Sequence, residues 1–191
     1  MYNVDPITSP RPNDCGPTCL EMFLAYYGTD IDLETLIKEC NPGMGGCSAA
    51  DLMRVGDLHG METHAYKMDT EELFKQDRPS IIHWKGNHFV VFCGLNNDGN
   101  PVICNPDRGR YYIPKATFAV MYSGVALFNG EPIPEPDMTP RATKTIAKGE
   151  YFMHNGELCK AIAPIANGAI LTLNTNYITT TVEDELSTLN K

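Results

Sequence analysis

The sequence predicts an α+β fold, with helices gathered at the start and a mostly antiparallel sheet after them. Two observations carry this. Apolar residues recur at helical spacing through residues 15–60, and period-2 runs rich in Val, Ile and Phe replace them from about residue 80. Runs of strands that follow runs of helices form α+β folds, whereas strict alternation would signal a parallel sheet.

Residues 1–14 read as an extended lead-in containing Pro6, Pro10 and Pro12. The segment NDCGPTCLEMFLAYYG predicts a helix that begins near Cys15 and is capped by Asn13 or Asp14. Pro17 suits its first turn and Gly28 its end. Leu20, Phe23, Leu24 and Tyr27 form its inward face. A second helix fits 31–40, with Leu33, Leu36 and Ile37 inward, and the loop NPGMGG follows. Ser48 with Asp51 makes a capping-box pattern that opens a third helix ending at Gly60.

Glu62–Lys67 reads as a strand and Asp69–Lys75 as a short helix capped by Asp69. Strands follow over Ser80–Lys85 and His88–Leu95, with the NNDGN turn after them. Pro101–Asn105, Arg110–Ile113 and Val125–Phe128 complete the strand set, with a short helix over Lys115–Ser123. Residues 131–143 (EPIPEPDMTPRAT) hold four prolines, a stiff extended composition that marks a boundary. The expected organisation is therefore one domain over 1–130, a linker over 131–143 and a small module over 144–191. In that module Tyr151–Met153 and Leu158–Ile162 flank the turn HNGE, Ala169–Leu173 reads as a strand, and Val182–Leu189 as an acidic helix.

A composition of 42% hydrophobic and 20% charged residues is that of a globular protein. The net charge of −9 argues against nucleic acid or an anionic membrane surface as the main partner, since both require a basic patch. No signal-peptide pattern is visible, and the longest apolar runs are shorter than the ~20 residues a membrane span needs. The seven cysteines are odd in number, irregularly spaced and without a CxxC pair, so neither a zinc site nor a disulfide framework is expected. No metal or cofactor is implied. Six of the thiols can serve as small buried hydrophobes.

Cys15 is the exception. At a helix N-terminus, unpaired N–H groups and the helix dipole favour a thiolate, and Gly16 would let a substrate backbone approach. A thiol nucleophile needs a base, and the base an orienting partner. His88 opens the most apolar strand, HFVVFCGL, behind the turn residues Gly86 and Asn87. Asn105 closes the next strand, where an antiparallel neighbour would bring its side-chain oxygen to the imidazole. Each residue also has a plain structural reading. A helix-start cysteine can be a core residue, a strand-opening histidine a scaffold residue, and Asn-Pro a turn. His59, His64, His83 and His154 read as surface or hydrogen-bonded residues.

The motifs together resemble the bacteriocin-processing peptidases, papain-like cysteine peptidases that cut double-glycine leader peptides. The resemblance covers roughly residues 3–128. It runs through Asp14-Cys15-Gly16 and the helix ending Tyr26-Tyr27-Gly28, then GGCSAADLMRVGDLHGMETHAYKM, the His88–Val91 strand and Asn105-Pro106. It implies a papain-like fold and a hydrolase with Cys15 as nucleophile, His88 as base and Asn105 as orienting residue, acting on a peptide or protein after Gly-Gly.

Two departures matter. Asn105 stands where the family usually has Asp. Ser9 occupies the position of the usual oxyanion Gln, and the only Gln in the chain is Gln76. Losing one oxyanion donor typically costs ~10²–10³ in rate. Ser9, Asn13 or a backbone N–H is then the expected substitute. The alternative is a catalytically weak or inactive binding domain.

Residues 144–191 are similar to a short C-terminal module of phage head-fibre and tail proteins, from the Lys148-Gly149 start through the Gly-containing hairpin to the acidic helix. That resemblance implies a phage or prophage origin, virion proteins as partners, oligomerisation through the module, and a location in the bacterial cytoplasm or on the virion, where the chain would decorate the particle.

Overall fold

The computed structural model describes residues 1–134 and 139–189, so residues 135–138 of the expected linker lie outside the described residues. The chain forms two compact units, Met1–Ile133 and Pro134–Lys191.

In the first unit a 3-10 turn at Pro12–Asp14 runs directly into α1 (Cys15–Tyr26). The expected side-chain cap from Asn13 or Asp14 is not made. The preceding turn instead closes with Asp14 N–H on the Arg11 carbonyl at 3.2 Å, and the Thr18 hydroxyl donates to the Asp14 carbonyl at 2.8 Å. The helix ends in a Schellman arrangement. Gly28, at φ +85°, donates to Ala25, and Thr29 donates to Leu24. Leu20, Phe23 and Leu24 are fully buried, each contributing roughly 1.5–3 kcal/mol. Tyr27, expected inward, is exposed and makes edge contacts with the rings of Phe23 and Tyr26.

α2 (Leu33–Cys40) is capped by Asp32, and α3 (Ala49–Leu58) by the Ser48–Asp51 capping box, ending two residues short of the expected Gly60. β1 (Thr63–Lys67) follows, then α4 (Thr70–Phe74) with its own capping box from Asp69. β2 (Ser80–Trp84), β3 (His88–Leu95), β4 (Pro101–Asn105) and β5 (Gly109–Tyr112) then form an antiparallel meander. α5 (Lys115–Met121) leads into β6 (Tyr122–Asn129), which extends further at both ends than its apolar run suggested. The sheet order is β1-β6-β2-β3-β4-β5.

Helices cover both faces of this sheet. Cys19, Leu20 and Phe23 of α1 pack with Phe89, Val91 and Cys93 of β3, while Leu73 of α4 and Phe118 of α5 pack with Val90 and Phe92. That is why β3 is apolar at both parities rather than alternating. The lead-in is pinned to the β3–β5 side of the sheet. Tyr2 N–H donates to the Cys93 carbonyl, Arg110 donates to the carbonyls of Tyr2 and Val4, and Ser9 N–H donates to the Pro106 carbonyl at 2.9 Å.

The second unit has its own small core of Ile146, Cys159, Ala161, Ile165, Leu171 and Tyr177. β7 (Tyr151–His154) and β8 (Glu157–Ala161) join through Asn155 and Gly156, both at positive φ, as a two-residue hairpin turn requires. The third strand is β9 (Tyr177–Thr179), not the expected Ala169–Leu173. Asn176 explains the difference. Its side chain accepts from Thr172 N–H at 2.9 Å and donates to the Ile170 carbonyl at 2.7 Å, taking backbone groups a ladder would need. α6 (Val182–Leu189) brings Glu185 to Lys160 Nζ at 2.5 Å and to the Tyr151 hydroxyl. Among the described residues no helix is long and apolar enough to cross a membrane.

Candidate active site

Cys15 is the first residue of α1 and is 5% exposed. Gly16 beside it faces the core rather than a cleft. A Cβ there would meet Leu52 Cδ2 at 3.2 Å and Cys47 Cβ at 3.3 Å. The glycine therefore keeps the contact of α1 with Leu52 of α3 and with Cys47 close.

His88 begins β3 after a turn in which Gly86 and Asn87 take φ of +92° and +62°. The Asn87 side chain donates to the Gly45 carbonyl, tying the loop after α2 to the turn that carries His88. The loop's Met44 is almost fully exposed, and Gly46 lies against the Asn13 carbonyl.

The imidazole sits between two partners. Its Nε2 lies 3.1 Å from Asn105 Oδ1, and the Cys15 thiol is within hydrogen-bonding reach of the ring. Asn105 is 4% exposed and its amide has one consistent orientation. Asp107 N–H, which can only donate, contacts Oδ1 at 2.8 Å, and Nδ2 donates to the Tyr111 hydroxyl at 3.0 Å. Oδ1 is then an acceptor for His88, so Nε2 carries the proton. In the neutral ring Nδ1 is left bare, and it is the nitrogen available to the Cys15 sulfur.

Burial of the ring pulls its pKa down. Hydrogen bonds to Cys15 and Asn105, and the charges of Cys15 and Asp107, act the other way and win, so His88 titrates above the ordinary histidine value. Asp107 Oδ2 is 3.8 Å from Nε2. Cys19, one turn beyond Cys15, is fully buried, and burial pushes its thiol well up.

Ser9 and Asn13 are placed differently. The Ser9 hydroxyl donates to the Arg11 carbonyl at 2.7 Å. The exposed Asn13 lines a cavity of about 680 Å³ together with Asp14, Ile37 and Asn41. Asp14 is 2% exposed, with Oδ2 3.9 Å from Arg11. Among the described residues no group of three or more His, Cys, Asp or Glu side chains is arranged to hold a metal ion.

Asp107 and Tyr111 are the neighbours that reading the sequence missed, as is the Asn87 contact to Gly45. Ladder arithmetic was the available signal for the first. Val91 pairs with Cys104, and the same register carried on three residues sets His88 opposite Asp107. The second pairing, Asn105 with Gly109, places Tyr111 two residues on and on the same face as Asn105.

The chain is similar to known proteins over its first unit. The Peptidase C39 family profile fits residues 4–131. A probable microcin-H47 secretion/processing ATP-binding protein of Escherichia coli is 32% identical over 114 residues, 60% of this chain and 16% of that protein. The colicin V secretion/processing ATP-binding protein of the same organism gives the same figures, so the chain spans about a sixth of the length of these relatives. Among solved structures, a double glycine motif protease from an AMS/PCAT transporter, in complex with the leader peptide, aligns with TM-score 0.64 and 31% identity. That alignment covers 67% of this chain and 91% of the protease. The peptidase domain of Streptococcus ComA aligns with TM-score 0.62 over 68% of this chain and all of that one. At 23% identity it speaks for the fold alone.

Proposed function

The chain belongs to the Peptidase C39 family, and from that premise we propose that its first unit is a cysteine peptidase that cuts a peptide after Gly-Gly. In this reading Cys15 is the nucleophile, His88 the base and Asn105 the residue that orients the base. The observation that carries it is the tautomer set at His88. With Nε2–H held by Asn105, Nδ1 is free to take the Cys15 proton. The thiolate attacks the scissile carbonyl, and the imidazolium then protonates the departing amine. Water hydrolyses the thioester, with His88 again accepting a proton.

The N-terminal end of α1 offers backbone N–H groups to the oxyanion, and Asn13, two residues before Cys15, is the side-chain candidate. Ser9 is the weaker candidate because its hydroxyl is already committed to Arg11. The substrate class follows from the double glycine motif protease and its bound leader peptide.

The test is mass spectrometry of a synthetic leader peptide ending in Gly-Gly and continuing into cargo. Wild type should release the leader with its Gly-Gly terminus, and Cys15→Ala should not. Equal processing by both, or by neither, rejects the reading. Tight binding without turnover, unchanged in Cys15→Ala, would favour a binding domain instead, a reading supported by the absence of the usual Gln.

The second unit is read as an attachment or oligomerisation module of a phage or prophage particle. Its support is the sequence pattern from Lys148-Gly149 to the acidic helix. Light scattering of the full chain and co-sedimentation with virions test it. A monomer that does not co-sediment removes it.

A further inference from the structure

His88 is contacted on its Nε2 side by two residues of different chemistry. Asn105 offers a neutral amide oxygen at 3.1 Å, and Asp107 a carboxylate oxygen at 3.8 Å. An amide can hold a ring and select its tautomer, but it has no net charge with which to stabilise an imidazolium. A carboxylate has that charge. Asp107 also touches Asn105, through its backbone N–H rather than its side chain. The two contributions are therefore separable: removing the Asp107 carboxylate leaves the bond that sets the amide in place.

We propose that the supporting role behind His88 is divided in this chain, with Asn105 fixing the orientation of the ring and the Asp107 carboxylate stabilising its protonated form. The proposal rests on the reading of Cys15 and His88 as a nucleophile–base pair. Asp107 is a positioning residue here, since it acts on the reaction only through His88.

The geometry favours this division for three reasons. Asn105 is buried, as an orienting group should be, while the Asp107 side chain is 57% exposed and keeps its carboxylate in contact with solvent. Pro106 sits between them and restricts the turn, and the Asx contact from Asp107 N–H to Asn105 Oδ1 closes it. The groups facing the ring are few. The Cys15 thiol comes from α1, Asp107 from the turn after β4, Asn105 from β4, and the uncharged Trp84 ring from β2 at 6.1 Å. Of these only Cys15 and Asp107 can be negative.

The exposure of Asp107 also sets the scale. A largely solvated pair is worth a fraction of what a buried one is, so its removal should move the imidazole titration by about half a pH unit.

The experiment compares wild type, Asp107→Asn, Asn105→Asp and the double variant Asn105→Asp/Asp107→Asn. The His88 ring titration is followed by NMR, and the pH profile of Gly-Gly peptide cleavage is measured alongside. Asp107→Asn should lower the His88 titration by about half a unit and shift the imidazole limb of the cleavage profile by the same amount. Asn105→Asp should raise it, and the double variant should return towards wild type. An unchanged titration in Asp107→Asn overturns the proposal, as does a double variant no closer to wild type than that single variant. If no variant, wild type included, cleaves peptide, the peptidase reading fails. The NMR titration still decides whether Asp107 acts on the imidazole.

Discussion

The Tyr111 hydroxyl stands 3.0 Å from Asn105 Nδ2 and is its acceptor, so a residue on β5 keys the amide whose other end meets His88. Tyr111→Phe leaves a buried N–H₂ group without that partner. It should destabilise the fold by about 1–3 kcal/mol, as an unsatisfied buried donor does. Turnover should fall by about tenfold, since a loosened amide no longer enforces Nε2–H. The ¹⁵N chemical shifts of the His88 ring separate this from a purely structural loss. A single retained Nε2–H tautomer together with full turnover would refute the role given to Tyr111.

Cys15 and His88 should be visible as a pair in alkylation. At about pH 6 an ordinary thiol, with a pKa near 8.5, reacts slowly with iodoacetamide. Cys15 is expected to outpace the other six cysteines there, and to lose that lead in His88→Ala. Cys19 is a control one turn away, because burial holds its thiol well above the ordinary value. If peptide mapping shows Cys15 no faster than Cys159, the pair is not poised.

The raised His88 value has a consequence for stability. His88 binds its proton more tightly folded than unfolded. The stabilisation it contributes is complete below the ordinary histidine value of about 6.5 and is lost as pH rises through the higher folded value. Urea midpoints of wild type and His88→Gln should therefore differ most on the acid side and converge with rising pH. A pH-independent difference would contradict this.

The two oxyanion candidates separate by substitution. Ser9→Ala should leave kcat within a few-fold of wild type, because the hydroxyl is bound to Arg11. Asn13→Ala should cost ~10² in kcat if its amide meets the oxyanion. Steady-state kinetics on one Gly-Gly peptide decides. A large Ser9 effect with a silent Asn13 reverses the assignment.

Gly16→Ala weighs two opposing effects. Alanine gains ~1 kcal/mol of helix propensity. Its Cβ must push against Leu52 and Cys47, and overpacking of that kind costs ~1–3 kcal/mol. A net loss of about 1 kcal/mol is expected, together with reduced turnover from displacement of Cys15. Chemical denaturation and peptide cleavage measure the two. A stabilised variant with full activity would show that α3 yields freely.

Much of this protein is determined by local sequence. Capping boxes at Ser48 and Asp69, the glycine that ends α1, and the Asn155-Gly156 turn depend on side chains within three or four residues of each other, so they are legible without a fold. The places of Cys15 at a helix start, His88 at a strand start and Asn105 at a strand end were legible too, because such positions follow from periodicity. What the tertiary structure alone decided is everything that depends on register and on opposing surfaces. Gly16 serves the α1–α3 contact because α3 folds back onto it. Ala169–Leu173 loses its ladder to the Asn176 side chain, and β9 takes its place. Asp107 and Tyr111 join the site because the β3–β4 and β4–β5 pairings bring them beside His88 and Asn105. A strand's own residues specify its alternation, but which residue stands opposite depends on the partner and its register. That pairing decides which charge and which hydroxyl reach the imidazole.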